Sequence, residues 1–259
     1  MDELRVEREA GIVTLTLDRP ERRNALDVPL WRELARVLAE VETRPADRVL
    51  ILTGAGGVFC AGGDLSPGEP DAAPSHSAAA LSNVRASVQA AALALHRLSK
   101  PTLAAVDGVA AGAGANLALG CDLVLASERA RFGQVFVDRG LPVDCAGSWL
   151  LPRLIGLQKA KELAFFGDWV SAAQAQTLGL VNRVLAPEAL LPEARAWARR
   201  LAEKSPAALA FIKQGLNRSF ETAHAQALDD EAAALTWCTR TPEADEAIAR
   251  FFARRRRAD

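Results

Sequence analysis

Apolar and polar residues alternate over Leu4–Glu7 and again over Ile12–Asp18, on either side of Glu9-Ala10-Gly11. That period of two predicts a hairpin at a sheet edge. After Asp27 the period becomes helical, with Leu30, Trp31, Leu34, Val37, Leu38 and Val41 on one face through about Thr43 and Asp27 as the cap. The unbroken run Val49-Leu50-Ile51-Leu52-Thr53 then reads as a strong strand. The rhythm recurs. Helical spacing near 78–98 carries Leu81, Val84, Val88, Leu95 and Leu98, and a strand at Thr102–Val106, a helix from about 113 and a strand at Leu123–Ala126 follow. This alternation predicts an α/β fold with a parallel core. From about Leu190 the pattern is helical almost throughout, with breaks near Ser205-Pro206 and Thr241-Pro242. The expected division is a core over 1–189 and a helical region over 190–259, of the kind that covers a neighbouring subunit.

Composition narrows the class. With 259 residues, 50% of them hydrophobic, the chain can bury a substantial core. Its 31 basic and 32 acidic residues leave a formal charge of −1, which gives no field to draw nucleic acid or an anionic membrane. No apolar run approaches about 18 residues, and the start, Met1-Asp2-Glu3-Leu4-Arg5, lacks a signal pattern. The expected location is the cytoplasm. Cys60, Cys121, Cys145 and Cys238 are widely spaced, with only His76, His96 and His224 as imidazoles, so free thiols and no metal site are expected. The stretch Ser66-Pro67-Gly68-Glu69-Pro70-Asp71-Ala72-Ala73-Pro74 reads as a mobile loop able to act as a lid, and Arg254–Arg257 as a solvated end.

Two small-residue turns follow strong strands. Gly108 through Ala115 contains four alanines and three glycines before a helix start, leaving main-chain N–H groups open to an anion or a polarised carbonyl. Phe59-Cys60-Ala61-Gly62-Gly63-Asp64-Leu65 is the second such turn. Together they can aim two N–H donors at one oxygen. One carboxylate stands out downstream: Asp144 lies between Pro142-Val143 and Cys145-Ala146, surroundings that raise an acid toward a useful base. Spacing alone leaves a second reading open, in which Asp144 caps a helix starting at Cys145.

Taken together, Phe59–Leu65, Asp107–Asp122, Phe132–Trp149 and Gly179-Leu180-Val181 resemble the crotonase superfamily, the enoyl-CoA hydratases and isomerases, over nearly the whole chain. Within it, Ala110–Leu119 and Leu141–Pro152 are most similar to the ring-1,2-epoxyphenylacetyl-CoA isomerase branch of phenylacetate degradation. The resemblance implies a crotonase-like spiral of ββα turns, C-terminal helices that build a homotrimer or a dimer of trimers, and an acyl-CoA thioester as substrate. CoA then enters with the substrate, and no separate cofactor is implied. At the family's two donor positions stand Gly63 and Ala113, whose N–H groups would form the oxyanion hole. Asp144 matches the acidic position of isomerases in that branch. Arg22 and Arg23 sit where relatives meet the nucleotide end of CoA, and Ala25, Ala61, Gly62, Asp64 and Leu65 where they line it. Asp64 is read as supporting its loop. Lys213 occupies a tail position that often meets phosphate.

The two glutamates with which hydratases of the family activate water are replaced by Asn116 and Phe136. Neither accepts a proton. The expected function is therefore an acyl-CoA isomerase that shifts a double bond or opens and expands a ring epoxide, with Asp144 as single acid/base. The alternatives are a hydratase-like enzyme, a dehalogenase-like enzyme using Asp144 as nucleophile, or an acyl-CoA-binding accessory subunit. A dehalogenase needs an indole donor where Phe136 stands. A dinucleotide fold read from Gly112-x-Gly114 lacks its third glycine, since Leu117 occupies that position. Trp149 is read as core packing, whereas Phe165 and Phe166 are open between edging the acyl pocket and filling the core.

Overall fold

The computed structural model describes residues 3–66 and 78–255. The expected lid from Pro67 to Pro74 and the end of the arginine run, Arg256-Arg257, lie outside the described residues.

The expected hairpin forms from β1 (Leu4–Glu9) and β2 (Ile12–Leu17), with Ala10 and Gly11 both at positive φ in its turn. Helix α1 (Val28–Thr43) begins where Asp27 accepts the Leu30 N–H at 2.9 Å, and its six apolar face residues are all buried. Strand β3 (Val49–Gly54) pairs in parallel with β2. Next come α2 (Ala78–Val84), a π turn over Arg85–Gln89, and α3 (Ala90–Arg97). The apolar stripe expected over 78–98 is broken here. Leu81 and Val84 are exposed while Leu95 and Leu98 are buried, because the π turn adds a residue and rotates the helix face.

The chain continues through β4 (Thr102–Val106), β5 (Val109–Ala111), α4 (Ala113–Leu119), β6 (Leu123–Ser127) and β7 (Arg131–Gly133). Then follow α5 (Gly147–Ile155), α6 (Leu157–Phe166), β8 (Trp169–Ser171), α7 (Ala172–Leu178) and β9 (Arg183–Leu185). A six-stranded sheet has the order β1-β2-β3-β4-β6-β9, parallel except at β1, and β5-β7-β8 form a second sheet. Strand alternation splits the interior in two. Leu50 and Leu52 face the large cluster with α1, whereas Val49 and Ile51 face a smaller one with α8 (Pro187–Ala202).

Helix α8 starts before the expected boundary at residue 190, and its Leu190, Ala194 and Ala198 are fully part of the packing against the sheet. The remaining helices are α9 (Pro206–Arg218), α10 (His224–Cys238) and α11 (Pro242–Arg255). The breaks near 205 and 241 are as expected; a third, between Arg218 and His224, carries no proline to mark it. These last helices leave Ile212, Leu216, Leu235, Trp237 and Phe251 exposed, as is Phe220 in the turn between α9 and α10.

Candidate active site

The two small-residue turns lie side by side. Cys60 bridges Ala110 in parallel fashion, and the Ala111 N–H donates to the Cys60 carbonyl at 2.9 Å. A Cβ at Gly62 would stand 2.8 Å from the Ala111 carbonyl oxygen and 3.6 Å from the Ala113 nitrogen. Only glycine, here at φ 100°, permits that approach. The hydrogen bonds on either side are used: Leu26 N–H donates to the Gly62 carbonyl at 2.8 Å, and Asp64 N–H to the Leu26 carbonyl at 2.9 Å. Between them, the Gly63 N–H meets no acceptor among the described residues. The Ala113 N–H, first in α4, is likewise unused.

Asp144 reaches this place through α4. One turn after Ala113, the Asn116 amide donates to the Asp144 carbonyl oxygen at 2.8 Å. The Asp144 carboxyl makes no hydrogen bond or ion pair among the described residues; the residue as a whole is exposed, and its carboxyl is partly desolvated. Loss of water around it pushes its pKa up to about 6. Asp144 does not cap a helix: α5 starts at Gly147 behind Ala146, and no side chain caps it. The buried ring of Phe136 lies over Gly112. Cys145 is buried, and its thiol is held well above its ordinary pKa by desolvation and by Asp144.

The other expected positions divide into groups. Asp64 accepts from Arg19 at 2.9 Å and from the Ser66 N–H at 2.9 Å. Ser66 and Arg19 hold its pKa below the ordinary carboxylate value. Its carboxylate is thus committed to the loop. Ala61 N–H donates to the Arg23 carbonyl at 3.0 Å, which ties the Arg22–Leu26 segment to the Ala61–Leu65 segment. Ala25 is buried in that junction; the Arg23 side chain and Leu65 are exposed. Lys213 stands apart. Its ammonium pairs with Asp122 at 2.8 Å and donates to the Lys100 carbonyl at 3.1 Å, with 9% of the side chain exposed.

Three residues escaped the sequence reading. Arg19 pairs with Glu3, Asp27 and Asp64 and donates to the Ala25 carbonyl at 3.1 Å. Asn24, left-handed and fully buried, donates to the carbonyls of Ala55 and Val58. The only signal for Asn24 was its residue type, which tolerates positive φ in a loop. Gln134, buried, donates to Asn116 Oδ1 at 2.8 Å.

A cavity of about 990 Å³ opens between α3, α4, the start of α5 and α9. Asn116, Cys145, Ala146, Leu95, Leu117 and Trp149 are among its walls. Trp149 is held there by His96, edge-on with ring centres 5.0 Å apart, by Arg153 over its face, and by Glu221, which accepts its indole N–H at 3.1 Å. Phe165 and Phe166 are instead exposed on α6, at 67% and 69%. Among the described residues no three His, Cys, Asp or Glu side chains gather as a metal site, and no helix is long and apolar enough to cross a membrane.

The family described as Enoyl-CoA hydratase/isomerase matches residues 7–258. The 1,2-epoxyphenylacetyl-CoA isomerase of Escherichia coli (strain K12) is 40% identical over 95% of this chain and 94% of its own. The 2,3-dehydroadipyl-CoA hydratase of the same organism is 36% identical over 98% and 97%. Among solved structures, an enoyl-CoA hydratase of Mycobacterium smegmatis superposes with a TM-score of 0.90 at 34% identity, covering 98% of this chain and 97% of that one. The match runs over nearly the full length of the chain in sequence and in fold, and the chain belongs to the enoyl-CoA hydratase/isomerase family, with the crotonase fold.

Proposed function

We propose that the protein is an acyl-CoA isomerase in which Asp144 is the single acid/base. One observation carries this reading: a carboxyl without partners among the described residues, with its pKa pushed up to about 6, is tied through its own carbonyl to Asn116 of α4, the helix whose first N–H, like that of the adjoining Gly63 turn, has no acceptor among those residues. The thioester carbonyl oxygen accepts from Gly63 and Ala113. Ionised Asp144 takes a proton from one carbon of the acyl chain, and the electron pair left behind delocalises onto the carbonyl oxygen as a dienolate. Protonated Asp144 then returns that proton to a different carbon, and the double bond has moved. Each preorganised donor is worth about 3–4 kcal/mol of barrier. For a ring epoxide, the same polarisation assists opening and expansion to an oxepin, with Asp144 handling the ring-adjacent proton.

The surroundings support this assignment. The cavity beneath the Asp144 loop is large enough for an aromatic or medium-length acyl group. In this reading Arg23 meets the nucleotide end of CoA, and the segments around Ala25, Ala61, Gly62 and Leu65 line its path, while Asp64 keeps the second turn in place. Lys213 is left out, because its ammonium is already committed to Asp122. The exposed apolar residues of α9–α11 support assembly into a homotrimer or a dimer of trimers.

Product analysis by NMR with 3-enoyl-CoA, 2-enoyl-CoA and a ring-epoxide thioester tests the proposal. Double-bond migration or oxepin formation is expected. Formation of 3-hydroxyacyl-CoA as the main product overturns it in favour of a hydratase, and binding without turnover overturns it in favour of an accessory subunit.

A further inference from the structure

The loop that carries Asp144 has an uncommon shape. Cys145 and Ala146 follow it in the left-handed region, at φ 47° and 62°, where residues bearing a Cβ are seldom found. Two such residues in succession persist only where their surroundings fix them. Here the fixing point is the Asp144 carbonyl oxygen, which accepts from Asn116 Nδ2 at 2.8 Å and from the Gly147 N–H at 2.9 Å.

The Asn116 amide has one consistent orientation. A carbonyl oxygen only accepts, so the amide nitrogen must face Asp144; its Oδ1 then accepts from Gln134 Nε2 at 2.8 Å. Asn116 and Gln134 are 1% and 4% exposed, so water does not readily replace either bond. Gly147 allows the close fit: a Cβ there would stand 2.2 Å from Asn116 Nδ2.

We propose that Asn116 is a positioning residue, which holds the left-handed turn Cys145-Ala146 through the Asp144 carbonyl and so aims the Asp144 carboxyl at the acyl chain. Gln134 orients Asn116 in turn. This inference rests on the reading of Asp144 as the acid/base and adds what gives that acid its direction. It also explains why an amide stands at 116. A carboxylate there would set negative charge against the Asp144 carbonyl oxygen and close to the Asp144 carboxyl. The residue that removes a hydratase glutamate is thus the residue that installs the isomerase acid.

The test is the pH profile of 3-enoyl-CoA isomerisation by the full-length wild type, Asn116→Ala, Gln134→Met and the double variant Asn116→Ala/Ala146→Gly, with Asp144→Asn alongside. Asn116→Ala is expected to lower kcat about 10- to 100-fold, with KM within about threefold of wild type. The midpoint of its profile should move below that of wild type as the released carboxyl gains water. Gln134→Met should move both quantities in the same direction by less. Adding Ala146→Gly, which lowers the intrinsic cost of the left-handed turn, should recover at least about threefold of the lost kcat.

An Asn116→Ala enzyme with unchanged kcat and midpoint overturns the proposal. So does a lowered kcat with an unmoved midpoint and no recovery from Ala146→Gly. Should Asn116→Ala fail to fold, Gln134→Met decides by the same kcat and midpoint. Wild-type turnover by Asp144→Asn would overturn the acid/base reading and this inference with it, whereas an inactive Asp144→Asn beside an unaffected Asn116→Ala overturns the positioning role alone.

Discussion

The ring of Phe136 lies over Gly112, so that a Cβ built on Gly112 would sit 3.5 Å from the ring. Gly112 has φ 52° and ψ −123° and immediately precedes the Ala113 donor. That distance is ordinary contact, so the demand for glycine comes from the backbone. Gly112→Ala is expected to cost about 1–3 kcal/mol in denaturant unfolding and to lower kcat by turning the Ala113 N–H. Trimming the ring as well, in Gly112→Ala/Phe136→Ala, should not restore either quantity; restoration would make the cost a matter of space.

The donor itself can be removed without ending its helix. Ala113 is the first residue of α4, a position that accepts proline because its N–H has no intrahelical acceptor. Ala113→Pro should retain the fold by circular dichroism and lose about 10²- to 10³-fold in kcat. Wild-type kcat in that variant would remove the Ala113 N–H from the mechanism.

The raised pKa of Asp144 has two consequences of defined sign. Activity that needs ionised Asp144 should rise through about pH 6 and level off above it. Stability moves the other way: a carboxyl raised above its unfolded value of about 3.9 holds more protons in the folded state, so stability falls as pH rises from about 4 to 6 and stays lower above. Asp144→Asn should therefore melt above wild type at pH 8 and level with it near pH 4. A lower Tm for the variant at pH 8 would contradict the burial argument.

Arg19 joins the two segments that line the proposed CoA path, with 12% of its side chain and 12% of that of Asp64 exposed. Arg19→Met leaves Asp64 without its cation. The expected cost is about 2–3 kcal/mol, less than for a wholly buried pair because both groups keep some water, and KM for the thioester should rise more than kcat falls. An unchanged KM would separate this ion-pair cluster from CoA binding.

Lys213→Met separates a structural role from a ligand role. Asp122 also accepts from the N–H and hydroxyl of Thr102, at 2.8 and 2.9 Å, so the Lys213 pair ties α9 to the start of β4. The variant should lose about 2–3 kcal/mol of stability and keep its KM for CoA thioesters. A raised KM at unchanged Tm would return Lys213 to the phosphate position that the family resemblance implies.

The α/β core was legible because its signals are local. The period of two around Ala10-Gly11, the helical face after Asp27 and the run at Val49 each survive into the fold. The stripe from Leu81 to Leu98 was misleading, since a π turn is a departure of the backbone that side-chain spacing does not encode. The small-residue turns pointed to unused N–H groups, yet their adjacency depends on the parallel bridge from Cys60 to Ala110, fifty residues away. Arg19 and Gln134 act through partners distant in sequence, so no motif marks them. For Asp144 the sequence left a helix cap and a base as alternatives, and the left-handed Cys145-Ala146 turn removes the cap.

The central claim, that one carboxyl moves one proton beside an oxyanion hole, is tested most directly by solvent exchange. Wild type and Asp144→Asn would be incubated with 3-enoyl-CoA in D₂O, with NMR following deuterium in the acyl chain and calorimetry following thioester binding. The account predicts deuterium uptake with double-bond migration in wild type, and its loss in Asp144→Asn while binding is retained. Equal uptake by the two proteins would contradict it.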